Sequence, residues 1–369
     1  MRMERRYVNK TIHGTKKNAE TYLTAKLRDK DLGINIEPAS ESLDKYLHKW
    51  LESSVKPRVR PLTYHDYVAL MTRYIREPLG AIRLADLRPI HIQKVYQTMQ
   101  QRDLSPRVVR YTRAVLSSAL EQAVKWDMLH RNPSSAVDLP RMVRKEMKAM
   151  SPVEASRFLE SVKGTRHYAL FNFALTTGMR PQEYLALKWF DVDLEKGMAT
   201  VRRAIVWKRE KGGGWDFAEP KTSRSRRTIP LLASTVKALL EHKRQQGIRR
   251  LRMGSEWQDH GLVFPTSIGT PYTLSSLTHK WFKPALIKAQ LSGFNLYSLR
   301  HTHATILLAN GENAKVASER LGHSTIVLTL DTYSHVLPDM QQHAAVSASR
   351  SCFSAVLAGR HQSTSALGL

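Results

Sequence analysis

Leu321-Gly322-His323-Ser324, followed by Asp331-Thr332-Tyr333-Ser334-His335 so that Tyr333 lies ten residues beyond His323, is the stretch on which the reading of this chain turns. Polar residues stand there at positions an apolar core pattern does not need. Two stretches upstream share that character. Leu299-Arg300-His301-Thr302-His303-Ala304-Thr305 runs into the apolar Ile306-Leu307-Leu308, and Thr176-Thr177-Gly178-Met179-Arg180-Pro181-Gln182-Glu183 sets an arginine at a helix junction with a glutamate one turn later. Taken singly, each has an ordinary reading: Arg180 and Glu183 as a helical ion pair, His301 and His303 as surface or core histidines, Tyr333 as packing.

The bulk of the chain narrows the choice. Its 369 residues fit two to three domains by the usual prior of about 100 to 200 residues each. The 58 Lys and Arg against 32 Asp and Glu leave a formal charge of +26, which attracts a polyanion by long-range field and counterion release. DNA or RNA is the expected partner. An anionic membrane face is disfavoured, because there is no lipidation signal and no apolar run near the ~18 residues of a span. Cys352 is the only cysteine, so neither an intrachain disulfide framework nor a multi-cysteine zinc site can be built, which suits a reducing cytosol. Residues 1–17 are basic but have no apolar stretch of the secretory kind, and a cytoplasmic, nucleoid-associated protein is expected.

Working outward along the chain, residues 1–36 form a small basic appendage with a helical stretch over 18–30. Ser40 is placed to cap the helix that follows a short linker. Over 41–130 apolar residues recur at helical spacing: Leu43, Tyr46, Leu47, Trp50 and Leu51, then Tyr67, Leu70, Met71, Tyr74 and Ile75, then Ile92, Val95, Tyr96 and Met99. Three amphipathic helices are expected, and a fourth from Ser105-Pro106 that Asn132-Pro133 stops. A basic linker over 138–149 precedes Ser151-Pro152-Val153-Glu154, a capping box that opens a second domain. Beyond it a buried helix over 168–176 stops at Thr177-Gly178, and a short helix begins near Pro181. A strand spans 199–206, residues 211–214 make a loose turn, and 227–232 supply another strand. That is a small sheet with a long basic hairpin, after which the chain is helical again.

The three polar stretches make sense together. Breaking a phosphodiester without a metal needs a nucleophile, cationic donors for a charged pentacoordinate transition state, and an acid for the leaving oxygen. Arginine suits the donor role, since its planar fork matches phosphate oxygens and stays charged. In the order Arg180, Lys221, Arg300, His323, Tyr333, and in the phrases around them, the chain resembles the tyrosine recombinases, in particular the integrases of temperate phages and conjugative elements. Thr-Gly-Met-Arg with Glu183 and Leu185-Ala186-Leu187-Lys188-Trp189 is similar to the family's first arginine box. The stretch at Arg300 is similar to the second, and the stretch from His323 to Tyr333 to the third.

The resemblance implies a role for each. Tyr333 would attack the scissile phosphate and hold the DNA as a 3'-phosphotyrosyl intermediate. Arg180 and Arg300 would clamp the nonbridging oxygens, with His323 donating to the same phosphate. Lys221, in Pro220-Lys221-Thr222-Ser223-Arg224-Ser225-Arg226, would protonate the leaving 5'-oxygen; a pure phosphate-contact role is its alternative. Glu183 would orient the first arginine box. Lys208, Arg209, Lys211, Arg224 and Arg226 are expected to contact the DNA backbone. No metal or other cofactor is required, because the phosphotyrosine stores the bond energy.

The chain departs from the family pattern in two places. Tyr297 stands where most members have histidine, three residues before the second arginine. A phenol is a poor base near neutral pH, so an altered site that keeps its activity is expected. His301 and His303, one and three positions beyond Arg300, are not expected to take over. At the N-terminus, Thr15-Lys16-Lys17-Asn18-Ala19-Glu20 resembles only the closing part of the relatives' arm-binding domain. Two readings stay open: weakened or absent arm binding, or a gene start upstream of Met1.

The expected architecture is mainly α with an α+β catalytic domain: a partial arm-type segment over 1–36, a helical core-binding domain of the SAM-like kind over 40–140, a tyrosine-recombinase catalytic domain with a small antiparallel sheet over 148–345, and a tail over 346–369. The expected partners are double-stranded DNA at attachment sites, three further copies of the chain in a tetramer on DNA, a host DNA-bending protein and an excision factor. The competing readings are a DNA-binding regulator of the same fold without cleavage, a type IB topoisomerase, and a metal hydrolase built on His301, His303, His323 and His335.

Overall fold

Each apolar run of the first half becomes a helix whose periodic face is removed from water. The structure, a computed structural model, describes residues 11–31, 40–142, 148–208, 213–219 and 226–333, and the chain divides into two compact units, Met1–Arg144 and Lys145–Leu369. The first holds α1 (Lys16–Asp31), α2 (Leu43–Trp50), α3 (Pro61–Leu70), α4 (Glu77–Leu79), α5 (Pro89–Gln101) and α6 (Pro106–Lys125). Leu43, Tyr46, Leu47 and Trp50 of α2 share one core with Met71, Ile75, Ile92, Tyr96, Leu116 and Leu120. Burying a side chain of that size stabilises by roughly 1.5–3 kcal/mol. The Tyr46 hydroxyl donates to the Ala119 carbonyl at 2.6 Å, tying α2 to α6.

Two expected boundaries move. Ser42, not Ser40, caps α2: its extended backbone turns the chain into the helix, its carbonyl accepts from Tyr46 N, and its hydroxyl accepts from Lys45 N at 3.4 Å. The end of α6 comes at Lys125, before Asn132-Pro133, where Asp127 takes a positive φ of 54°. Asn132 instead caps the 3-10 turn Pro133–Ala136.

The second unit opens with α7 (Pro152–Val162), whose Ser151–Glu154 capping box forms in both directions at 2.8 and 3.2 Å. Next comes α8 (Tyr168–Thr177), apolar on nearly every side and therefore central; it packs against α7, α10 (Ala233–Met253) and α13 (Leu296–Ala309). Between α8 and α10 lie α9 (Pro181–Tyr184) and the strands β1 (Val192–Asp193), β2 (Met198–Val201), β3 (Ala204–Trp207), β4 (Trp215–Ala218) and β5 (Arg227–Pro230). The short helices α11 (Leu274–Leu277) and α12 (Lys283–Lys288) precede α13, which α14 (Ala314–Leu321) and α15 (Ile326–Tyr333) follow.

The single strand expected over 199–206 is two strands in two sheets. β2 lies between β1 and β5 in one antiparallel sheet, and among the described residues β3 pairs with β4 alone, Ile205 opposite Phe217 and Trp207 opposite Trp215. The break falls at Arg202-Arg203, both of which turn to the Asp191 carboxylate, which is almost wholly out of water. A buried carboxylate needs such partners, so ion pairing overrides the strand's alternation. The fold is otherwise the expected one, mostly helical with small antiparallel sheets.

Candidate active site

Local chain stops aim the first arginine. Gly178 ends α8 in the left-handed conformation, φ 64°, which glycine adopts without the Cβ penalty. Pro181 then starts α9, and the Glu183 carboxylate accepts from Arg180 N at 3.0 Å. The same carboxylate receives Arg180 Nη1 on one oxygen at 2.9 Å and Arg227 Nη2 on the other at 2.9 Å. Glu183 thus bonds two arginines, Arg180 and Arg227. Arg180 Nη2 donates onward to the Gly322 carbonyl at 2.9 Å, which brings the end of α14 to α9.

Arg300 enters from α13 and is 4% exposed. Its Nη1 donates to the Gly178 carbonyl at 2.9 Å, while its buried Nη2 finds no acceptor among the described residues. An unpaired donor of a charged group is costly to bury, so this atom is poised to bind an anion. Gly322, also left-handed, ends α14 and delivers His323, whose Nδ1 lies 2.7 Å from Thr329 Oγ1. Tyr333 closes α15 with its ring buried among Ala304, Leu308, Ala317 and Leu321. Its hydroxyl lies 2.8 Å from His301 Nδ1.

The cluster is strongly cationic. Burial, then Arg180 nearby, lowers the Arg300 pKa to about 9, which leaves it charged at pH 7. Burial and then Arg300, Arg180 and Arg227 push His323 down to about 4. Burial and then Arg300 do the same to His301, also about 4. Burial raises the Tyr333 phenol to about 12, with Arg300 opposing. For Glu183, burial works to raise the pKa, but Arg227 and then Arg180 hold it below the usual carboxylate range. At neutral pH the site therefore presents charged arginines, neutral histidines and a protonated phenol.

Of the residues picked out in the sequence, Arg180, Glu183, Arg300, His323 and Tyr333 are brought together. Tyr297 is not joined to Tyr333: its hydroxyl donates to Gln182 Oε1 at 2.8 Å and the residue is 37% exposed. Lys208 and Arg226 sit at the hairpin in exposed ion pairs with Asp216 and Glu219, pairs that hold weakly in water. Lys221, Arg209, Lys211 and Arg224 lie outside the described residues, as do His335 and the tail over 346–369.

Three residues were missed. His301 meets the Tyr333 hydroxyl although its sequence position argued against a role. Arg227 anchors Glu183 and also donates through Nε to the Arg320 carbonyl at 2.6 Å. Its place two residues before the buried Ile229 on one strand was the available signal. Arg320 donates to His303 Nε2 at 3.0 Å. His301, His303 and His323 thus serve three different partners, and among the described residues no group of three or more His, Cys, Asp or Glu could hold a metal ion.

A helical unit followed by an α+β unit that gathers these arginines around a tyrosine is the fold of the tyrosine recombinases. The Tn1549 transposon integrase in complex with transposon right end DNA matches with a TM-score of 0.70 at 20% identity, over 82% of this chain and 99% of that one. The lambda integrase of a tetramer bound to a Holliday junction matches with a TM-score of 0.59 at 16% identity, over 86% and 84%. At those identities the likeness establishes the fold. The chain belongs to the phage integrase family: the family's model matches residues 145–340, and that of the phage integrase N-terminal SAM-like domain matches 42–100. The tyrosine recombinase XerC-like protein of Caldanaerobacter subterraneus subsp. tengcongensis is 31% identical over 354 residues, 91% of this chain and 90% of its own length. An integrase of Streptomyces ambofaciens is 29% identical over 353 residues, covering 93% and 88%.

Proposed function

We propose that this protein is a site-specific DNA recombinase that integrates or excises a mobile element or prophage by cutting and rejoining DNA through a 3'-phosphotyrosyl intermediate. The observation that carries this reading is the buried Arg300 Nη2, which has no acceptor among the described residues, in a unit that also gathers Arg180, His323 and Tyr333. A phosphate oxygen would satisfy that donor. Arg180 and Arg300 would hold the nonbridging oxygens and neutralise the charge that grows in the pentacoordinate transition state. Tyr333 Oη would form the new bond to phosphorus as the bond to the 5'-oxygen breaks. Neutral His323 would donate to the same phosphate, and Lys221 would supply the proton for the leaving oxygen, as the family resemblance implies. Religation would reverse these transfers when another strand's 5'-hydroxyl attacks.

The helical domain over 40–140 and the catalytic domain over 148–345 would grip duplex DNA at an attachment site, with Lys208, Arg209, Lys211, Arg224 and Arg226 on the backbone and residues 1–36 adding basic contacts. Exchange of two strand pairs calls for a tetramer on DNA, with a host bending protein and an excision factor setting direction. The charge of +26 supports tight, salt-sensitive association in the cytoplasm.

A nicked suicide duplex carrying the core sequence recovered from the element's junctions tests the proposal. Wild type is expected to form a covalent protein–DNA adduct in EDTA, and Tyr333→Phe to bind without forming one. If wild type binds that duplex yet forms no adduct in any buffer, the recombinase reading fails and a non-cleaving DNA-binding role takes its place.

A further inference from the structure

Most members of the family carry histidine where this chain has Tyr297, and Tyr297 is committed to Gln182 at the protein surface. The hydrogen-bond partner of the nucleophile comes from a different position on the same helix. His301 follows Arg300 directly, so on α13 the two side chains point about 100° apart. Arg300 reaches Gly178 on one side, and His301 reaches Tyr333 on the other, Nδ1 to hydroxyl 2.8 Å. The titratable and charged groups that act on His301 or feel its charge are Arg300 on its own helix, Tyr333 on α15 and His323 in the turn after α14.

We infer that His301 is the general base of strand cleavage, accepting the Tyr333 proton through Nδ1 in place of the histidine this chain lacks at 297. The inference rests on the recombinase reading above. The neutral ring, with its proton on Nε2, offers the Nδ1 lone pair to the phenol, and the phenol donates. As Oη bonds to phosphorus, the phenolic oxygen loses its basicity and the proton passes to Nδ1, leaving His301 as imidazolium. The bond from phosphorus to the 5'-oxygen breaks with its electron pair, and that oxygen takes a proton from Lys221, which becomes neutral. One proton has entered at His301 and one has left at Lys221; religation returns both. In the free protein burial and Arg300 keep His301 neutral, which readies the acceptor. The negative scissile phosphate then offsets Arg300 and makes the imidazolium affordable when it forms.

Single-turnover adduct formation on the suicide duplex distinguishes this role from packing. His301→Ala is expected to bind the duplex as wild type does but to cleave it slower by about a hundredfold or more, the usual scale of general base catalysis. Added imidazole should restore part of that rate. His301→Asn, whose amide sits near the Nδ1 position and keeps a hydrogen bond without taking a proton, should fold and bind normally and remain slow. The inference is overturned if His301→Ala cleaves within about threefold of wild type, or if His301→Asn matches wild type, which would make the residue a positioning group. A wild type that forms no adduct overturns the recombinase reading and this inference together. A wild-type adduct with an indifferent His301 overturns this inference alone.

Discussion

Arg227 Nη2 lies 2.9 Å from Glu183 Oε2, and the two side chains are 8% and 5% exposed. A charge pair so far from water is held by mutual attraction and by filling every donor and acceptor. Removing one partner leaves the other uncompensated, at a cost of about 3–5 kcal/mol. Glu183→Gln should therefore lower the unfolding free energy of the second unit by about 3 kcal/mol at pH 7. Because Arg227 and Arg180 hold the Glu183 pKa down against burial, its contribution is complete above the unfolded value near 4.3 and is lost as pH falls through the lower folded value. Urea titrations of wild type and variant should converge in acid; a gap that persists there would contradict the electrostatic account.

Gly178 is held by its surroundings as well as by its own backbone. A Cβ there would lie 2.6 Å from His303 Cδ2 and 2.9 Å from Leu321 Cδ2, both in buried side chains, at a φ of +64°. Left-handed strain and overpacking together should make Gly178→Ala destabilising by about 2–4 kcal/mol. The Gly178 carbonyl also fixes Arg300, so adduct formation should slow even at temperatures where the variant is folded. A urea midpoint equal to that of wild type would refute the steric argument.

How much of this was legible in the sequence depends on the range of the interaction. The helices of the first unit were readable because Leu43, Tyr46, Leu47 and Trp50 repeat at helical spacing and one core takes them all. The stop at Gly178 and the capping box at Ser151 are likewise local chemistry. The split at Arg202-Arg203 was passed over: the two adjacent arginines interrupt the alternation of 199–206, but the partner that turns both aside, Asp191, lies eleven positions upstream of Arg202. β4 is four residues long and exists only as the partner of β3. His301 was discounted because it sits one position beyond Arg300 rather than three before it; its partner Tyr333 arrives from a helix 32 residues later. Pairwise position along one helix does not reveal what another helix brings to it.

Histidine burial gives the second unit a pH-dependent stability. His167, His242 and His303 are 4%, 8% and 8% exposed, and burial above all holds their pKa values at about 3, 4 and 3. Unfolded histidine titrates near 6.5. Their folded values lie below that, so the neutral folded state is fully favoured above about pH 6.5 and loses ground as pH falls toward the folded values. Each contributes up to ~1.4 kcal/mol per pH unit. Unfolding free energy measured from pH 7.5 to 5 should fall with increasing steepness. His242→Gln, which keeps an amide donor for the Val263 carbonyl that His242 Nε2 meets at 2.7 Å, should flatten the slope by about one such unit. A profile flat down to pH 5 would count against all three.

Thr329 is placed to set which nitrogen of His323 carries the proton. The ring is neutral at pH 7, since burial and then Arg300, Arg180 and Arg227 push its pKa to about 4. Nδ1 lies 2.7 Å from Thr329 Oγ1, which is fully buried. If the hydroxyl donates to Nδ1, the proton sits on Nε2 and can be given to a phosphate oxygen; the hydrogen bond at one nitrogen sets the tautomer at the other. Thr329→Val keeps the shape and removes that donor. Nδ1 is then free to hold the proton itself, and Nε2–H donation is no longer enforced. Adduct formation should slow by about tenfold, the ~1.4 kcal/mol scale of one neutral hydrogen bond. DNA affinity should hold, because Arg180 and Arg300 still carry the charge. An adduct rate unchanged by Thr329→Val would mean that His323 acts without this tautomer control.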